Sequence, residues 1–134
     1  MKPFTIIAAL AMLLTACTDT KKRQKDLLQE VIKIHDEAMA KSEQAIKDKM
    51  LLDSVAKSIN ATEQPKIKEV TSNLSTADKA MEDWMHQFDA DNTGKSHEEI
   101  MQYLADQKKK VYQVNNQLSK AVSQSNQFIA THKR

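Results

Sequence analysis

Apolar residues recur at steps of three and four through most of this chain. From about Lys22 to Asn60 the stripe is Leu28, Val31, Ile34/His35, Ala38/Met39, Ala45/Ile46, Leu52, Ala56 and Ile59, interrupted by Ser42 and Lys49. Nine turns of that spacing predict an amphipathic helix and not a strand. A second stripe runs through Ile67, Val70, Leu74, Ala77, Met81, Trp84/Met85 and Phe88, predicting a helix over 65–89. Polar Ser72 to Thr76 is a weak point in it, but the stripe passes through without a phase jump. A third stripe comprises Ile100/Met101, Leu104, Val111, Val114, Leu118, Ala121/Val122, Ser125 and Phe128/Ile129, predicting a helix over 97–131. At 1.5 Å per residue the first helix, about 22–60, would be roughly 60 Å long.

The breaks are equally legible. Thr62 to Pro65 ends the first helix, because proline cannot continue a helix yet fits the first turn of the next. Ala90 to Ser96 contains Gly94, the one glycine of the chain, and forms the second turn. Ser96 and Glu99 have capping-box spacing, in which each side chain satisfies the other's exposed amide. Acids at the start of the third helix and Lys133 and Arg134 at its end complement the helix dipole. Short turns make consecutive helices antiparallel, so the expected fold is an all-α, up-down-up three-helix bundle over residues 26–134. Helices this polar hold only by burying their stripes against one another. The first helix overhangs the second, leaving Leu27, Leu28 and Val31 packed on the start of the third helix or open to a partner.

Composition removes several function classes. One glycine excludes phosphate-cradling loops, nucleophile elbows and dinucleotide fingerprints. One cysteine excludes an internal disulfide and multi-cysteine zinc sites. Aromatic residues at 4% provide no stacking platform, and a net charge of +2 is too near neutral for a nucleic-acid binder. No serine or histidine is fixed beside a partner in a catalytic arrangement, so an enzyme is not expected.

The N-terminus carries its own signal. Lys2 precedes an apolar run from Ile6 to Leu14 that is shorter than the roughly 20 residues needed to span a bilayer. Leu14-Thr15-Ala16-Cys17 then resembles the lipobox of bacterial lipoproteins. That resemblance implies a cleaved signal peptide (1–16), cleavage between Ala16 and Cys17, a diacylglyceryl thioether on Cys17 and an acyl chain on its amine. With several chains and about 0.8 kcal/mol per buried CH₂, such an anchor is permanent. Residues 17–25, with Lys21, Lys22, Arg23 and Lys25, then read as the lipidated cysteine and a polar tether. Thr18 after the cysteine resembles lipoproteins passed to an outer membrane, facing the periplasm.

Two constellations invite chemistry. Folding at the turns brings His35 and Met39 level with Met81, Trp84, Met85 and Met101, inside a belt of acids. Thioether and imidazole suit Cu(I), and Met and His are familiar haem ligands; His35, Met39, Met85 and Met101 are the candidate donors. The plainer reading is methionine filling an irregular core around Trp84, with no cofactor. His86 lies well off the inward stripe. In the second turn, Asp89, Asp91, Thr93 and Gly94 stand as in the first half of an EF-hand loop between two helices. Ser96 and Ile100 depart from the second half, where Glu99 is the nearest acid to a closing ligand; an Asp/Asn/Gly turn also forms without Ca²⁺.

Ile-His-Asp-Glu-Ala-Met (34–39) and Met-Glu-Asp-Trp-Met-His-Gln-Phe (81–88) resemble segments of small helical lipoproteins of the Bacteroidota labelled viral A-type inclusion protein. This chain departs from that group at Ala40, where its members have proline. The resemblance implies an envelope location and a helical build, and carries no activity. The expectation is a lipid-anchored envelope protein that binds a protein partner, through the overhang of the first helix or the basic end of the third.

Overall fold

The computed structural model describes the backbone of residues 4–132 and the side chains of residues 19–132. Ala16 and Cys17, with the leader side chains before them, and Lys133 and Arg134 lie outside those described side chains. Three helices make up the fold: α1 (Phe4–Ala56), α2 (Gln64–Gln87) and α3 (His97–His132). They pack on one another as an all-α three-helix bundle, with no strand among the described residues. Among those residues no helix is long and apolar enough to cross a membrane.

The spacing of buried positions explains the packing. In α2, Ile67, Val70, Leu74, Ala77, Met81 and Trp84 are buried, alternating steps of three and four. The α3 series Ile100, Leu104, Gln107, Val111, Val114, Leu118, Ala121, Ser125 and Phe128 does the same. A 3.5-residue repeat keeps one seam facing its partners along the helix length and lets side chains interlock as in a coiled coil. On α1 the fully buried residues Val31, Ala38, Ala45 and Leu52 stand seven apart. Two of the four are alanine, so α1 can approach its neighbours closely. Each fully buried Leu or Met of this core contributes about 1.5–3 kcal/mol of transfer free energy.

Residues 19–25, expected as a tether, are helical and continuous with the bundle. The overhang of α1 lies on the start of α3: Gln24 Nε2 is 2.9 Å from His97 Nδ1, and Lys108 donates to Glu30. Leu27 and Leu28 are half-buried and Val31 is buried. At its other end α1 stops at Ala56, four residues before the expected Asn60, because side chains compete for the backbone there. Ser58 Oγ donates to the Val55 carbonyl (3.0 Å), and Asn60 Oδ1 accepts the Glu63 amide (3.2 Å). Gln64 Nε2 then caps the Ala56 carbonyl at 2.8 Å. Pro65 occupies the first turn of α2.

The paired positions of the α1 stripe separate. Ala38 and Ala45 are buried, whereas Met39 is half-buried and Ile46 is 49% exposed. The difference is angular: a helix among only two neighbours buries a narrow stripe, and residues 39 and 46 fall about 100° from its centre. Polar residues fill some inward positions instead. Asp48, Gln107, Asn115 and Ser125 are buried, and Asp48 Oδ2, Gln107 Oε1 and Ser125 Oγ have no hydrogen-bond partner.

Candidate functional site

The α1–α2 seam opens near the α2–α3 turn into a groove of about 360 Å³ lined by Val31, Ile32, His35, Asp36, Trp84, Met85 and Phe88. Antiparallel packing places these residues together, since residue 35 of α1 stands opposite residue 84 of α2. The His35 ring lies over the Trp84 indole with centroids 5.8 Å apart. Trp84 stacks in turn on Phe88 (5.1 Å), and Phe88 on Tyr103 (6.1 Å). His35 Nδ1 is 2.9 Å from Asp36 Oδ1, an arrangement that puts the proton on Nδ1 and leaves Nε2 a lone-pair donor in the neutral ring. Trp84 is 93% buried by its neighbours, yet its indole Nε1–H has no acceptor. A buried indole N–H ordinarily finds one.

Of the four candidate metal donors, the groove brings together His35 and Met85. Met39 instead packs against the hydrophobic core, and Met101 is half-buried on α3 and does not line the groove. Among the described residues no group of three or more His, Cys, Asp or Glu side chains is placed to share an ion. His86 is exposed, as its helical phase required.

In the α2–α3 turn the oxygens are committed to the loop itself. Asp89 Oδ1 accepts the Asp91 amide at 2.8 Å, and Asp91 Oδ1 accepts the Thr93 amide (2.9 Å) and hydroxyl (2.6 Å). The Thr93 hydroxyl, then its amide, hold the Asp91 carboxyl below its ordinary range. Lys95 Nζ lies 3.5 Å from Asp89 Oδ2, donates to the Asp91 carbonyl, and sits 5.3 Å over the Tyr103 ring. Glu99 closes the capping box: its Oε2 accepts the Ser96 amide at 2.7 Å, and its own amide donates to Ser96 Oγ at 3.2 Å. Asp89, Asp91, Thr93 and Glu99 thus each have a partner within the turn. Gly94 supplies the left-handed residue of the turn at φ +77°.

A second, larger concavity of about 650 Å³ lies at the opposite end, between the α1–α2 turn and the end of α3. His132 borders it, stacked on Phe128 at 4.1 Å with Nε2 3.6 Å from Glu63 Oε2.

The role of Ile32, Ile46 and Met85 as an exposed apolar set was not evident from the stripe alone. The signal was the seven-residue recurrence of Ile32, Met39 and Ile46, running parallel to Val31, Ala38 and Ala45. Compared with protein-family models, curated proteins and solved structures, the chain matches nothing.

Proposed function

We propose that this chain is a lipid-anchored protein of the bacterial cell envelope that works by binding a protein partner, without catalysis. The observation that carries the reading is the tetrad Leu14-Thr15-Ala16-Cys17 directly behind a short apolar run. Such a sequence makes Cys17 the acylated N-terminus of the exported chain, facing the periplasm from an outer membrane. A rod of polar-faced helices, rigidified by a continuous core, suits a module that presents side-chain surfaces to another molecule. Feeding cells an alkyne-tagged fatty acid tests it: the wild-type chain takes up label and sediments with membranes, and Cys17→Ala does neither. An unlabelled wild-type chain that retains residues 1–16 would overturn the anchor.

A second reading, a periplasmic copper- or haem-binding bundle, is favoured by one observation: His35 and Met85 line the same groove as Trp84. Two donors of that softness match Cu(I) in ligand type. Protein isolated from copper-supplemented cells without chelator is expected to carry stoichiometric metal under this reading and none under the first. His35→Ala separates the two, since only the second loses metal by that change.

A further inference from the structure

We infer that the outer face of the α1–α2 seam is a docking ledge for a cationic amphipathic helix of a partner protein. This deepens the binding role proposed above and rests on it only for its cellular setting. Along α1 the ledge is Ile32 (46% exposed), half-buried Met39 and Ile46 (49% exposed), one per seven residues. Met85 of α2, 38% exposed, faces Ile32 across the groove. From Ile32 to Ile46 the row is roughly 21 Å long, about four turns of a helix. A soluble bundle has no internal reason to keep such a row in water, since single exposed apolar residues are ordinary but aligned ones mark a contact surface.

The charge beside the row decides what fits. Asp36 and Glu43 follow the ledge on the α1 side, one helical turn from Ile32 and Met39. Asp78 and Glu82 follow it on α2, on the same flank as Met85. Ser42 of α1 donates to Asp78, which fixes that flank against α1. Lys47 stands one helical turn after Glu43, at the far end of the row, and on α2 no lysine or arginine lies between Thr71 and Lys79. The nearest base of α2, Lys79, pairs with Asp83 at 2.9 Å and also feels the Glu82 carboxylate. An apolar stripe between two acidic margins is complementary to a helix with an apolar stripe between two basic margins, as at the e and g positions of a coiled coil. The same margins repel an anionic lipid surface. They also repel a second copy docked ledge to ledge, which would bring carboxylates face to face. The groove lies at the Ile32 end of the ledge, and Trp84 lines it beside Met85.

Trp84 is the only tryptophan of the chain and lines the groove, so its emission reports occupancy. The full chain, held in phosphatidylcholine vesicles, is titrated with a tryptophan-free helical peptide of about 18 residues, roughly 27 Å long, with a leucine stripe and lysine flanks. Saturable change in Trp84 emission is expected, weakened about tenfold by Ile46→Gln with Met85→Gln, a loss of two partly exposed apolar contacts. Raising NaCl from about 0.05 to 0.5 M is expected to weaken it further. Two control peptides set the specificity. If leucine with glutamate flanks works as well, the charge argument fails. If serine with lysine flanks works as well, the ledge plays no part. Undiminished binding by the double variant, or sedimentation showing a dimer that Ile46→Gln dissolves, also overturns the inference. Both substitutions lie at partly exposed positions, and an unchanged helical circular dichroism spectrum verifies that the variant is folded. Absence of acylation at Cys17 would remove the envelope reading and leave this titration intact, whereas a flat titration would leave the anchor intact.

Discussion

Asp48 is the residue at which pattern and packing disagree most. It is 1% exposed, its Oδ1 accepts Gln44 Nε2 at 2.7 Å, and its Oδ2 has no partner. Burying a carboxylate oxygen without a hydrogen bond costs more than burying an apolar atom of equal size. Asp48→Leu is therefore expected to raise stability by roughly 2 kcal/mol, read as a higher urea midpoint; a lower midpoint would mean Asp48 holds a structural contact. The capping box behaves oppositely. The Ser96 amide, then its hydroxyl, hold the Glu99 carboxyl below its usual 4.5. A depressed acid favours the folded state above its unfolded pKa, and that contribution disappears as pH falls through the lower, folded value. Thermal melts between pH 6 and about 3 should accordingly show less acid-side loss for Glu99→Gln than for wild type. Ser96→Ala is expected to lower the melting temperature at neutral pH by roughly 4 °C. Gly94 has open space around its missing Cβ, so Gly94→Ala is resisted only by its positive φ, and Gly94→Asn should be the milder change.

Helix α1 explains why elements were legible and their faces were not. Steps of three and four identified all three helices, the glycine turn and the proline break, because each arises from local chemistry. The same steps could not separate Ala45 from Ile46, since neighbours on a helix differ by only 100° and either can head a stripe. Packing separates them: Ala45 is fully buried and Ile46 half outside. Ala45→Leu should therefore destabilise by about 1–3 kcal/mol through overpacking, while Ile46→Gln should shift stability by under about 0.5 kcal/mol, both read from urea denaturation. Gln107 makes the reverse point. It occupies an inward position of the α3 repeat and is buried, although its side chain disguised that position in the sequence. The candidate site was half legible for the same reason. His35 and Met85 could be placed at one height from turn positions alone, but the lateral placement of Met39 against the core required the neighbouring helices.

At the scale of the molecule, one core joins all three helices. Val31, Ala38, Ala45 and Leu52 share it with the α2 and α3 stripes. Trp84 belongs to that cluster, so its emission and the far-ultraviolet dichroism should trace one coincident urea transition. Two separated transitions would show that α1 detaches independently. Exposed ties such as Lys108 to Glu30 contribute little in water, and Lys108→Ala should change the unfolding free energy, read from urea denaturation, by no more than about 0.5 kcal/mol. The amino-acid order alone determined the three helices, their antiparallel succession and the turns between them, because backbone hydrogen bonding, capping and proline act within a few residues. It also carries the tetrad Leu14-Thr15-Ala16-Cys17, on which the proposed anchor rests. Only the assembled bundle decided which apolar residues face inward, that the α2–α3 loop binds its own amides and Lys95, and that an apolar row with acidic margins is left outside. Those outcomes depend on the angle between helices hundreds of atoms apart, and on which carboxylate finds a nearer donor once they meet.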